Sequence, residues 1–282
     1  MGLLERVLAA QDFDPRGFVP FEIGAERAGW IRREFVARLR RWPEMFEFLQ
    51  ERVRLSPALE HEVARTAALA EVTRGLAREG AITGWRDETY PVRIRQESAP
   101  LCHIERAAMR FFGLTAAAAH LNGYTPKTGG MRVWLARRSS SKAIDPGLLD
   151  NLVGGGIASG QDAWQTLLRE CGEEAGMDRE LAMRAQPAGM LQVCRAVPEG
   201  LHLEILHTYD LELRDDFKPR NTDGEVSEFV CLDTDALLAR IAQGELAIEA
   251  SVVALDFLLR HRAVAVSDSG IRAALDRCRP RP

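Results

Sequence analysis

The segment from Gly155 to Met177 constrains this chain more than any other. If residues 162–175 form a helix at 100° per residue, Trp164, Leu167, Leu168, Cys171 and Ala175 share an arc of about 100° and make a buried stripe. Glu170, Glu173 and Glu174 fill a neighbouring arc near the helix C-terminus. Residues three and four apart on a helix are neighbours, and like charges there repel. The C-terminal end also carries negative partial charge, so three carboxylates are misplaced unless a positive charge joins them. Alone, they fit a solvated acidic helix end as well as a cation site. Gly154, Gly155 and Gly156 lie a short distance upstream, Arg169 can orient one carboxylate, and Gly176 suits a left-handed cap. Together these features favour a hard divalent cation, which takes oxygen ligands and commonly binds phosphate as well. The Gly155 carbonyl is a further candidate ligand.

The rest of the chain sets the frame. A length of 282 residues suggests two domains. Hydrophobic residues make 46% and charged residues 28%, which supports a sizeable core and excludes a disordered tail or a collagen. The net charge of -4 gives no reason to expect nucleic acid or an anionic membrane surface. Five scattered cysteines (Cys102, Cys171, Cys194, Cys231, Cys278) with no C-x-x-C spacing read as free thiols of a reducing, cytoplasmic setting. No run approaches the roughly 20 apolar residues of a membrane span. Met1 to Ala10 lacks the parts of a signal peptide and reads as an amphipathic helix. Acid is concentrated beyond residue 115, where 24 acidic side chains face 19 basic ones, against 17 and 18 before it. Only three of the 37 basic residues are lysines: Lys127, Lys142 and Lys218.

Residues 1–115 read as a small α+β accessory domain. Strands are expected at 18–23 and 90–94, and helices at 31–41, 57–78 and 103–112, with a turn over 24–29. Residues 116–265 read as an α/β domain with a mixed sheet. Its strands are expected at 116–124, 131–136, 189–193, 203–213 and 226–232, and its helices at 162–175, 233–241 and 251–261. Loop signals fill 139–160, and residues 266–282 read as a C-terminal tail.

The stretch from Gly155 resembles the Nudix box, G-x5-E-x7-R-E-U-x-E-E-x-G-U with U a bulky apolar residue. Here it gives Gly155, Gln161, Arg169-Glu170-Cys171-Gly172-Glu173-Glu174-Ala175-Gly176-Met177, with Gln161 where the box has its first glutamate and Cys171 a mild U. Further similarity to one Nudix subgroup lies in Phe21, Gly29-Trp30, Ile104-Glu105-Arg106, His120 to Tyr124, Trp134 to Arg138, Lys142, Pro146-Gly147, Leu149-Asp150-Asn151 and Asp223 to Val226. That subgroup has an N-terminal accessory domain and is similar to the Nudix half of fungal proteins fused to thiamine pyrophosphokinase. The resemblance spans most of residues 15–262. It implies an α/β/α sandwich with Glu170, Glu173 and Glu174 as the carboxylates for Mg²⁺, with Mn²⁺ as an alternative. It assigns Arg169 and Gln161 supporting places. The departure at Gln161 bears on fine geometry and rate more than on activity. The implied reaction is hydrolysis of a small organic diphosphate, above all thiamine diphosphate or its oxidised analogues, to the monophosphate.

Other residues are weighed beside the box. Glu225 follows a Thr222-Asp223-Gly224 turn before a strand and is a candidate general base or second metal ligand. Glu228, on the same strand face, is a weaker one. Arg137, Arg138 and Lys142 are candidate phosphate donors, since a diphosphate needs cationic hydrogen-bond donors. His120, Trp134 and Cys171 are read as core. Competing readings are hydrolysis of ADP-ribose or another nucleoside diphosphate derivative, isopentenyl diphosphate isomerisation, for which no Cys/His motif is present, and a non-catalytic diphosphate-binding module.

Overall fold

The computed structural model describes residues 2–264 and 269–280. An N-terminal four-stranded sheet holds β1 (Phe18–Ile23), β2 (Glu26–Arg32), β3 (Phe46–Leu49) and β4 (Arg52–Leu55) in the order β2-β1-β4-β3. β1 and β2 pair antiparallel, whereas β1 and β4 pair parallel. Helix α3 (Glu62–Arg78) and the hairpin of β5 (Thr89–Val92) with β6 (Cys102–Glu105) complete this unit. Its core is aromatic, with Phe21, Phe46, Phe111 and Phe112 packed around Leu69, Leu76 and Ile104. Two expected helices are broken here: each starts as the end of a strand and continues as short helical turns. Residues 31–41 finish β2 at Arg32, then form a 3-10 turn (Arg33–Phe35) and the short α2 (Val36–Leu39). Residues 103–112 contain β6, a 3-10 turn and the short α4 (Met109–Phe112), which Gly113 ends at φ +56.

The second unit is an α/β/α sandwich. Its seven-stranded sheet holds β7 (Thr115–Lys127), β8 (Gly130–Arg138), β9 (Leu149–Asn151), β10 (Val153–Gly156), β11 (Gln186–Val197), β12 (Gly200–Glu212) and β13 (Val226–Asp233). The main order is β11-β12-β7-β8-β13, with β10 against β7 and β9 against β8. Only β7 and β12 pair parallel, so the sheet is mixed. Alternation along β7 splits its faces: Ala119 and Leu121 pack toward α5 (Ala163–Ala175), and Ala118 packs toward α7 (Thr234–Gln243) and α8 (Ile248–Arg260). The short α6 (Arg179–Ala182) follows α5.

Further segments depart from the expected layout: β2 begins inside the expected turn at 24–29, and β9 lies in the expected loop at 139–160. The glycines at 154–156 form β10 instead of a loop, because the missing side chains let this strand lie against β7 and the helix above it. Helix α1 (Leu3–Ala9), at the start of the accessory segment, packs on the second unit: Val7 and Ala10 share a core with Ala250, Phe257 and Leu275. The supposed tail carries α9 (Ser269–Arg277), whose Ile271, Ala274 and Leu275 are buried in that same core, next to the buried Cys278. Residues 265–268, 281 and 282 lie outside the described residues. Among the described residues no helix is long and apolar enough to cross a membrane.

Candidate functional site

The site is built on α5. Asp162 caps its start, accepting from the Gln165 N–H at 2.7 Å, while the Gln165 side chain accepts from the Asp162 N–H at 3.2 Å. Gly176 ends it at φ +63 and lets Met177 N–H donate to the Cys171 carbonyl. Leu167, Cys171 and Ala175 anchor the buried stripe. The adjacent face then carries Glu170 and Glu174, 8% and 5% exposed, with Glu173 more open.

These carboxylates meet β10. Gly154 N–H donates to Glu174 Oε2 at 2.9 Å. A Cβ at Gly155 would overlap the Glu170 carboxylate, so only glycine leaves room for it. Arg169 bridges two of the acids, donating from Nη1 to Glu173 at 2.6 Å and from Nη2 to Glu170 at 2.8 Å. Burial raises the Glu170 carboxyl above its ordinary range. Glu174 is pushed up to about 8, by burial first and then by the charge of Glu170.

A loop brings the fourth carboxylate. Arg220 N–H donates to the Ala175 carbonyl, and Thr222 N–H and Oγ1 both donate to that of Glu173, which ties residues 220–222 to the end of α5. Asx contacts then close the turn, with Gly224 N–H on Asn221 Oδ1 and Glu225 N–H on Asp223 Oδ1. Glu225 thereby touches the Lys142 ammonium, which also stands 4.0 Å from Glu174 Oε1. Burial lowers the Lys142 pKa, offset in part by the charge of Glu174.

A cleft of about 490 Å³ opens between the two units. Glu170, Glu173, Glu225, Lys142 and Arg138 line it, with Tyr90 and Arg106 across from them on the accessory unit. Arg138 is held by Asp150 at 2.7 Å and by the Ile144 carbonyl. The structure does not bring every candidate here. Arg137 donates to Glu228 at 2.8 Å and to the Gly147 carbonyl, and neither it nor Glu228 lines the cleft. Gln161 accepts from Thr166 Oγ1 at 3.0 Å at the start of α5, away from the carboxylates. His120 is buried, with Nδ1 2.9 Å from Asn151 Oδ1, although its ring also borders the cleft. Trp134 packs against Phe217, and Cys171 is fully buried. Sequence reasoning missed the opposite wall. Tyr90, His202 and Glu204 carry no motif, and their only signal is polar groups on otherwise apolar strands.

The donor set suits a hard cation. It consists of carboxylate oxygens beside a glycine cradle that a Cβ would fill, and Arg169 and Lys142 supply the positive charge that the acids require. Among the described residues, no three acidic, His or Cys side chains already converge on one point, because Arg169, Lys142 and Gly154 hold the carboxylates. Glu170, Glu173 and Glu174 are the residues that could hold a divalent ion.

Comparison with known proteins gives two family matches that meet at residue 116. A domain of unknown function, DUF4743, matches residues 3–116, and the NUDIX domain matches residues 116–250. The chain is 34% identical to Nudix hydrolase 20, chloroplastic, of Arabidopsis thaliana over 274 residues, covering 94% of this chain and 73% of that one. It is 36% identical to Nudix hydrolase 24, chloroplastic, of the same plant over 257 residues, covering 90% and 70%. Among solved structures, DR0079 from Deinococcus radiodurans aligns over 61% of this chain and 99% of its own, with a TM-score of 0.47 and 24% identity.

Proposed function

This chain belongs to the Nudix hydrolases, a pyrophosphatase family, and on that premise we propose that it cleaves the diphosphate bond of a small organic diphosphate held in the cleft between its two units. Thiamine diphosphate, or an oxidised analogue of it, cleaved to the monophosphate, is the substrate proposed. The observation that carries the reading is the meeting of opposite charges in one cleft: Glu170, Glu173 and Glu225 beside Lys142 and Arg138. The substrate's organic part rests on the sequence resemblance set out above and on the size of the cleft.

Mg²⁺, when bound by Glu170, Glu173 and Glu174, would neutralise charge on the phosphate oxygens. The protein's own groups do the rest. Lys142 and Arg138 donate to the phosphates, with Arg138 preferred over Arg137 because Arg138 lines the cleft and Arg137 does not. Glu225 takes the proton of the attacking water at a carboxylate oxygen. Water adds to phosphorus, the P–O bond of the anhydride breaks, and the terminal phosphate leaves. Glu174, fixed by Gly154 N–H, keeps the acidic face in register with β10. We also propose a reducing compartment, supported by the free state of all five cysteines.

A panel of thiamine diphosphate, its oxo analogue, ADP-ribose and nucleoside diphosphates, assayed with Mg²⁺ and with products identified, tests the assignment. Preferred release of thiamine monophosphate or its analogue supports it. A higher kcat/KM on ADP-ribose overturns the substrate, and tight binding without turnover of any member overturns the reaction.

A further inference from the structure

The end of the cleft away from the glutamates is also built. β7 sends Ala116, Ala118 and His120 to the cleft on one face. In register beside them lie Gly156 opposite Ala118, and Glu204 of β12 opposite Ala116. From His120 to Ala116 this floor runs for about 13 Å at 3.3 Å per residue. Along β7 beyond His120, as far as Ala116, it carries nothing larger than a methyl group, and Leu206 of β12, opposite Ala118, is buried in the core and does not line the cleft, which leaves a slot for a flat ring. Tyr90 closes the slot from the accessory unit. It is 3% exposed, its hydroxyl has no hydrogen-bond partner among the described residues, and a Cβ at Gly156 would overlap that hydroxyl.

The charges at the far end are unequally matched. Glu249 pairs with Arg195 at 3.1 Å and with His202 Nε2 at 2.9 Å. Arg110 Nε donates to His202 Nδ1 at 3.3 Å and stands 3.8 Å from Glu199. Glu204 has only a share of His202 Nε2, at 3.3 Å, and its carboxylate borders the cleft. A partly paired carboxylate and an unpartnered buried hydroxyl are groups that a ligand satisfies.

We propose that this end is a recognition subsite for a flat heterocycle bearing an N–H group, with Glu204 accepting that N–H and the Tyr90 hydroxyl hydrogen-bonding the ring edge. It rests on the diphosphate reading above and names the class of organic group that reading requires. The phosphates lie at the Lys142 end, the ring lies over Ala116 and Ala118, and the N–H meets Glu204. Specificity follows because a substrate without the N–H leaves a carboxylate desolvated and unpaired.

The test uses the full chain with Mg²⁺ on three substrates: thiamine diphosphate, its oxo analogue and ring-free methyl diphosphate. The ratio of kcat/KM on a ring substrate to that on methyl diphosphate is expected to fall about 10- to 100-fold in Glu204→Gln, the scale of one hydrogen bond to a charged group. Tyr90→Phe is expected to lower the same ratio several-fold. Thermal melts near the wild-type value show that both variants fold. Equal losses on all three substrates, or an unchanged ratio, overturn the subsite. If the wild-type protein turns over none of them, the diphosphate reading fails, and calorimetric binding of thiamine diphosphate then decides the subsite separately. Binding weakened tenfold or more by Glu204→Gln supports it, and equal binding overturns it.

Discussion

At the scale of single residues the site depends on positions where a methyl group is too much. Gly155→Ala would drive a Cβ into the Glu170 carboxylate. Overpacking of this kind costs about 1–3 kcal/mol. The substitution should lower the melting temperature modestly and activity far more, because the displaced group is one of the clustered acids. A thermal melt and a rate measured on the same sample check both parts. Lys142→Ala removes a charge-assisted donor and should reduce kcat/KM about 10- to 100-fold, read by steady-state kinetics. A different network bears on stability alone. Burial tends to raise the Asp210 carboxyl, but the hydrogen bonds of Arg260 and His261 outweigh it, and the net shift is downward. A depressed carboxyl contributes stability that is present above its ordinary value of about 3.9 and lost as pH falls through the lower folded value. Asp210→Asn should therefore cost about 3–5 kcal/mol near neutrality. In denaturant titrations the gap from wild type should shrink as pH drops below 3.9.

At the scale of elements the chain was legible where side-chain periodicity speaks, and obscure where tertiary contacts decide. Helix α5 could be read almost to the residue, since its apolar stripe and Gly176 stop agree, and Asp162 proves to be its cap. Strand β10 could not, because three consecutive glycines carry no strand signal, and what excludes a side chain at Gly155 and Gly156 is the approach of Glu170 and Tyr90 in the folded chain. Residues 103–105 alternate like a strand but run directly into helix-forming residues, so the apolar spacing reads as one helix across the junction. Within the candidate site, the box glutamates stood out because like charges on one helix face are an anomaly. Tyr90 and Glu204 did not, since nothing short of the folded cleft sets them beside each other. Helix α9 shows the same limit: its buried Ile271, Ala274 and Leu275 need α1 and α8 to give them meaning. Leu275→Ala should destabilise the protein by about 2–5 kcal/mol, measured by denaturant unfolding.

At the scale of the whole molecule, two units share one cleft, and neither encloses it alone. The sandwich supplies the acidic face, Lys142 and Arg138, while the accessory unit supplies Tyr90 and Arg106. On the proposed reading, part of the excess acid of the second half has a local use beside donors for phosphate. This explains how a chain with a net charge of -4 can take an anionic substrate. Hydrolysis by the α5 carboxylates is the central claim, and one comparison bears on it most directly. Phosphorus NMR of thiamine diphosphate with Mg²⁺ should show monophosphate and inorganic phosphate forming with the wild-type chain. With an equally folded Glu174→Gln variant the rate should fall about a hundredfold or more, the scale of losing metal stabilisation of the phosphate charge. Equal rates in the two proteins would contradict the account.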